Sequence, residues 1–142
     1  MKISAKIDYA CKALLELSMH WPAQTPLSMS VIAAKQRIPL QFLTQILITL
    51  KQLGYTDSIR GKNGGYRLAR PPAEIRMDQL ISDLGNEGFW NEEGAEREGG
   101  THVMEAIWYE LDQVVLDHLK TLNFENICER VRMQQNIVSF DI

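Results

Sequence analysis

Hydrophobic residues spaced three and four apart run through most of this chain, so its pattern predicts helices first. In the earliest, residues 3–20, Ile3, Ile7, Ala10, Cys11, Leu14, Leu17 and Ser18 trace one face. Trp21 and Pro22 end it, and AQTPLS forms a loop. Ser28 suits the N-cap of a short second helix running to about Gln36, because its hydroxyl can accept from a first-turn N–H that lacks an intrahelical partner. Ile32, Ala33 and Ile38 would face the core. Arg37, Ile38 and Pro39 then make a turn, with Pro39 near the first helical position, where its missing N–H costs nothing. In the following LQFLTQILITLKQLG, Leu40, Leu43, Ile46, Leu47, Leu50 and Leu53 line the apolar face and Gln41, Thr44, Gln45 and Gln52 another. Gly54 stops this helix, since it can take a left-handed conformation cheaply.

The helical period then breaks. Residues 55–60 and 66–69 read as two short strands, with Gly61, Asn63, Gly64 and Gly65 supplying positive-φ positions for a narrow loop. A short helix, a tight turn, a longer amphipathic helix and a basic hairpin together predict a mainly α fold with a small β wing, a winged helix-turn-helix. After Pro71 and Pro72, AEIRMDQLISDLG predicts another short helix with Ile75, Leu80, Ile81 and Leu84 apolar. Residues 85–100 hold five Gly and five Glu in sixteen positions and read as a loop, with Phe89 and Trp90 its apolar anchor. The longest pattern runs from 101 to 122: Met104, Ile107, Trp108, Leu111, Val114, Val115, His118, Leu119 and Leu122 form a wide stripe. Such a helix, roughly 33 Å long, exceeds what so small a head can cover, and a symmetric partner helix is the natural way to bury it. Residues 123–133 read as a final short helix.

Composition bounds this picture. A chain of 142 residues, 45% hydrophobic, suits one globular domain with an appendage. No apolar run reaches the roughly 18 residues of a membrane helix, and MKISAKIDYACK lacks a signal-peptide core, so a soluble intracellular protein is expected. Cys11 and Cys128 are far apart and in no CxxC spacing; Cys11 sits in a helical stripe and reads as a small buried hydrophobe. The net charge of −3 hides a split. Residues 1–84 carry 11 Lys/Arg against 6 Asp/Glu, a balance of +5, and residues 85–142 carry 4 against 12, a balance of −8. Arg60, Lys62, Arg67 and Arg70 place four cations on or beside the hairpin with no acid between Arg60 and Arg70, the mark of a surface meant for an anion. An enzyme finds little support: His20, His102 and His118 have no motif context, and GKNGGY lies in a hairpin where a phosphate loop would lead into a helix.

With these residues in hand, the chain resembles the Rrf-two family of IscR-like bacterial transcription regulators. RGKNGGYRLARPP, residues 60–72, matches the family's wing, and DYACKALLEL, IPLQFLTQILITLKQLGY and EIRMDQLISDLG support it. The resemblance implies a cytoplasmic homodimer on double-stranded DNA, with residues 1–84 as the winged DNA-binding domain, 85–100 as an altered sensor loop and 101–142 as a long dimerisation helix and C-terminal segment. It places Pro39, Gln41, Thr44 and Gln45 at base-reading positions and Arg60 in the minor groove; Ser28, Phe42, Lys62, Asn63, Gly64 and Arg67 complete the candidate DNA-binding set. Pro39 and Thr44 depart from the serine and glutamate of the cluster-binding members. Gln45 suits a bidentate adenine contact, worth ~1–3 kcal/mol of discrimination.

The sensor departs further. The three cluster cysteines of the family fall near Trp90, near Glu96 and at His102, with the next ligand position at Glu105. Thiolates hold iron–sulfur clusters, so no cofactor is expected. Asp8 matches a carboxylate ligand of a family member, which makes Asp8, His102 and Glu105 candidates for an oxygen/nitrogen metal site, although His102 and Glu105 also suit ordinary surface at a helix N-terminus. A protein effector is an alternative. Met104, Ile107, Trp108, Leu111, Val114, Val115 and Leu119 are the expected dimer interface. The function implied is a sequence-specific regulator, a repressor on a pseudo-palindromic operator; the alternative is a winged-helix protein-interaction module.

Overall fold

The structure, a computed structural model, describes residues 2–85 and 103–140. These form six α-helices and a two-stranded antiparallel sheet. Helix α1 spans Ala5–His20 and is N-capped by Ser4, whose hydroxyl accepts from the Ile7 N–H at 3.2 Å. Ile3 therefore lies outside the helix and is exposed, whereas Ile7, Ala10, Ala13, Leu14 and Leu17 fill the core. Helix α2, Met29–Gln36, has Ser28 as its N-cap with Val31 as donor, again at 3.2 Å. Arg37 closes it in the left-handed region at φ 54° and turns the chain sharply into α3, Leu40–Gln52.

The apolar face of α3 is covered only from its second residue cluster onward. Leu43, Ile46, Leu47 and Leu50 are buried, but Leu40 is 50% exposed, a correction to its expected core role. Tyr55 follows, fully buried, and the wing pairs β1 (Thr56–Ile59) with β2 (Gly65–Leu68), Thr56 opposite Leu68 and Ile59 opposite Gly65. In its loop only Gly61 and Gly65 have positive φ, so Asn63 and Gly64 do not play the expected conformational part. Gly64 is needed for a different reason: a Cβ there would strike the Ile59 carbonyl. Gly65 similarly lies against Leu27, and Leu27 and Tyr66 exchange two backbone hydrogen bonds of 2.8 Å. The wing is thus pinned to the chain just before α2, a link no local pattern announced.

A 3-10 turn at Pro72–Glu74 precedes α4, Met77–Leu84, so Ile75 is buried ahead of the helix rather than within it. Helices α5 (Val103–Leu119) and α6 (Phe124–Phe140) are equally long at 17 residues. The last helix therefore extends well past the expected end at 133. Two backbone bonds, Met77 N–H to the Leu122 carbonyl and Phe124 N–H to the Ile75 carbonyl, both 3.0 Å, clip the α5–α6 turn to the start of α4. Helix α6 packs on α1, and Phe124 and Leu119 join the same core as Leu14 and Leu47. Leu119 is accordingly corrected from dimer surface to the chain's own interior, and Val115 is half-buried against that core. The rest of the α5 stripe stays outside: Trp108 is 50% and Val114 65% exposed. Phe89, Trp90, Glu96 and His102, with nearly all of the 85–100 loop, lie outside the described residues. No helix among the described residues is long and apolar enough to cross a membrane.

Candidate nucleic-acid interface

The outer face of α3 presents amides and apolar edges to solvent. Pro39, Gln41 and Gln45 are exposed, and neither glutamine side chain is hydrogen-bonded among the described residues. An unengaged amide offers a donor and an acceptor together, which is what an adenine edge requires. Thr44 is different. It is half-buried, its hydroxyl donates back to the Leu40 carbonyl at 2.9 Å, and it lies 3.8 Å from the Met29 sulfur. Its donor is committed to its own helix, leaving the methyl group and a lone pair for any ligand. Phe42 is 58% exposed beside Tyr9 of α1, ring centroids 6.1 Å apart, and the two border a notch of about 270 Å³ with Lys6, Gln45 and Thr49.

The hairpin's four cations divide into two pairs. Arg60 and Lys62 stand exposed at the tip with Asn63, and neither has an ion-pair partner among the described residues. Arg67 is half-buried and donates from Nη1 to the Gln24 carbonyl at 3.3 Å. Arg70 lies over the Tyr55 ring, 4.1 Å from guanidinium carbon to ring centroid, a cation–π contact inside the fold. The four cations on or beside the hairpin thus differ in their surroundings: Arg60 and Lys62 are exposed at the tip, whereas Arg67 and Arg70 are engaged with the chain itself. Ser28, half-buried, spends its hydroxyl oxygen on the Val31 N–H, so only the start of α2 itself, with its partial positive charge, faces outward there. Gly64 acts through its missing side chain, as the loop closure above requires.

The wing root contains groups the sequence pattern did not single out. The Tyr55 hydroxyl donates to Asp83 Oδ2 at 2.6 Å, and Gln79 donates to Asp83 Oδ1 at 2.8 Å. Burial, then the hydrogen bond to the Asp83 carboxylate and its charge, push the Tyr55 hydroxyl above its ordinary range, so it stays a donor at any physiological pH. Helical spacing in α4 was the available signal for the Gln79–Asp83 pair; nothing in the sequence linked either to Tyr55.

Around the proposed metal residues the donors are occupied or poorly suited. Asp8 Oδ2 is paired with Lys12 Nζ at 2.8 Å. It borders an apolar cavity of about 580 Å³ between α1, α4 and α5, together with Cys11 and His118. Burial, helped by the Asp8 charge, pushes the Cys11 thiol up to about 12, and burial raises Cys128 as well. Both are protonated near neutrality, whereas metal ligation needs thiolate. Among the described residues no three His, Cys, Asp or Glu side chains are grouped closely enough to hold a metal ion. Glu105 is half-buried in the first turn of α5, and His102 falls outside the described residues.

A helix-turn-helix with an open polar face beside a hairpin with two exposed cations at its tip defines the class: a winged-helix DNA-binding protein. Residues 3–130 match the Rrf2 family of iron-dependent transcriptional regulators, and the chain belongs to that family. Among its relatives, a protein of Neisseria meningitidis classed as an HTH-type transcriptional regulator is 30% identical over 92% of this chain and 89% of its own. The regulator IscR of Aliivibrio salmonicida is 29% identical over 96% and 86%. A Synechocystis relative reaches 40% identity, but over 59% of this chain and 56% of its own. In structure, CymR of B. subtilis, the global cysteine regulator, superposes with a TM-score of 0.79 at 25% identity over 92% of this chain and 98% of that one. The T. potens IscR fold gives the same TM-score at 24% identity over 95% and 91%. The protein is a DNA-binding transcriptional regulator, and its relatives are regulators rather than enzymes.

Proposed function

We propose that this protein is a repressor that binds a pseudo-palindromic operator as a homodimer in the bacterial cytoplasm, and that it does so without an iron–sulfur cluster. The observation that carries the reading is the pairing of unengaged Gln41 and Gln45 on α3 with unpaired Arg60 and Lys62 at the wing tip. In this reading residues 1–84 read DNA. Gln41 and Gln45, with Pro39, Phe42 and Thr44 around them, meet base edges in the major groove, and Arg60 enters the adjacent minor groove. Lys62, Asn63, Gly64 and the start of α2 at Ser28 meet phosphates, while Arg67 fixes the wing's base.

Dimerisation is supported by the α5 stripe. Met104, Ile107, Trp108, Leu111 and Val114 form an exposed apolar row too continuous for an ordinary monomer surface. The 580 Å³ cavity beside it shares Val114 and Val115 and continues the same apolar surface. Two copies joined there would present two wings and two reading helices, as a two-fold operator requires.

The family's iron dependence does not fit the donors here. Residues 86–102 contain no cysteine, and the two thiols of the chain lie on α1 and α6, protonated by burial. A protein effector bound at the C-terminal region is the form of control this arrangement favours. The test is a mobility-shift titration against the DNA upstream of its own gene at two salt concentrations. Binding that weakens with salt and is lost on charge reversal at Arg60 supports the reading; no shift, or one indifferent to salt and to that reversal, rejects it.

A further inference from the structure

The two ends of the wing meet at one ring, that of Tyr55, whose hydroxyl is held by a carboxylate of α4. Tyr55 immediately precedes β1, and Arg70 follows β2 by one residue beyond Ala69. The Ala69 N–H donates to the Tyr55 carbonyl at 3.0 Å, so the backbone closes the root there. The Arg70 guanidinium carbon lies over the Tyr55 ring, and the Tyr55 hydroxyl reaches Asp83 in the last turn of α4. Gln79, one turn earlier on α4, holds the other Asp83 oxygen, which fixes the carboxylate's orientation.

Three further bonds give this cluster leverage. The Tyr55 N–H donates to the Leu50 carbonyl at 2.9 Å, tying the wing root to the end of the reading helix. Lys51, in the same last turn of α3, donates to Ser58 of β1 at 2.5 Å. The Leu84 carbonyl, next to Asp83, accepts from Lys6 of α1 at 3.0 Å. Helix α4 is thus anchored to α1 on one side and, through Asp83, to the wing root on the other. The Arg70 Nε–H is buried without a hydrogen-bond partner among the described residues.

We infer that Tyr55, Arg70 and Asp83 are positioning residues for DNA recognition: they set the angle at which the wing leaves the domain and so deliver Arg60 to the minor groove. The Leu27–Tyr66 bonds hold β2 from one side, but a two-stranded ribbon of four residues per strand twists easily, so side chains at its root also bear on that angle. Arg60 lies at the far end of β1, so a small rotation at Tyr55 becomes a displacement of a full side-chain contact at the tip. The inference rests on the proposed role of Arg60 and makes a claim that role alone does not: removing one buried hydroxyl group at the wing root weakens binding only through Arg60.

The experiment is a double-mutant cycle on operator affinity with Tyr55→Phe and Arg60→Ala in the full-length protein. Tyr55→Phe keeps the ring beneath Arg70 and deletes only the hydrogen bond, and a loss of about 5-fold is expected with Arg60 present. In the Arg60→Ala background the same change should cost less than about 2-fold, and the salt slope should fall in Tyr55→Phe as it does in Arg60→Ala. A merely structural role lowers the melting temperature but leaves the cost equal in both backgrounds, which overturns the proposal while sparing the role of Arg60. If Arg60→Ala itself leaves affinity unchanged, the minor-groove reading falls and the positioning role with it. Should Tyr55→Phe not fold, Asp83→Asn on the exposed face of α4 serves instead. Deleting a negative charge would by itself favour DNA through the long-range field, so weaker binding that depends on Arg60 supports the inference, and unchanged or tighter binding rejects it.

Discussion

Helices α3 and α5 carry apolar stripes of similar design, yet only one is covered within the chain. Leu43, Ile46, Leu47 and Leu50 of α3 pack against α1 and α2 and are inaccessible, and this leaves the opposite, amide-bearing face of α3 outward. On α5 the stripe is covered only at its C-terminal end, by Val115 and Leu119, where the clip to α4 holds the helix down. Toward its start, Trp108 and Leu111 face solvent. Apolar periodicity therefore announces that a face will be buried without saying by what. In α3 the cover is intramolecular and the proposed contacts lie on the polar side; in α5 the exposed apolar side is the proposed contact surface.

The sharpest way to break this contrast is one substitution in each apolar stripe. Trp108→Glu on α5 should turn a dimer into a monomer in light scattering and, by removing the second half-site contact, weaken operator binding by about 10²–10⁴-fold. Leu47→Ala on α3 should instead leave the oligomeric state intact and cost about 2–5 kcal/mol of unfolding free energy by opening a core cavity, read from denaturant melts. If the two variants exchange outcomes, the assignment of the two stripes is wrong.

Smaller effects separate the parts of the reading surface. Arg60→Ala should weaken binding broadly across operator sequences and lower the salt slope by about one contact per half-site. Gln45→Ala should cost ~1–3 kcal/mol at a single base position and little on sequences altered there, which a panel of point-changed operators would show. The smallest effect concerns Cys11. Its thiol is raised from an ordinary 9.0 to about 12, so the unfolded thiol ionises first as pH rises. The sign follows: its contribution to stability is intact below about 9 and is lost as pH climbs toward about 12. Cys11→Ala should flatten that part of the stability–pH curve, and native Cys11 should resist alkylation at pH 8.

Much of the helical framework was legible because it depends on local periods and caps. Ser28 caps α2 as its hydroxyl and position require, and Gly54 ends α3 at a positive φ. Errors gathered where a long-range contact decides. Leu40 belongs to the stripe of α3 by period, but at the first residue of the helix it is left half exposed while Leu43 is fully covered. Gly64 looked like a positive-φ residue and is instead a point of close backbone approach, and Arg70 looked like a DNA cation and is held by a ring fifteen residues earlier. Helix α6 buries Phe124 and Cys128 near its start, whereas residues 133–137, by which it outruns the expected end, are exposed, so neither its sequence period nor cover within the described residues marks that end.

By itself the sequence determined which segments are helical, where the basic hairpin falls and which faces are apolar, because caps, turns and side-chain period act over a few residues. Tertiary structure decided what each face meets. It drew Leu119 inward and left Trp108 out, freed Arg60 while engaging Arg70, and gathered Tyr55, Asp83 and Gln79 at the wing root. Those outcomes depend on which elements come to lie side by side, and such pairings leave no mark at the spacing of three, four or two residues that a sequence pattern can carry.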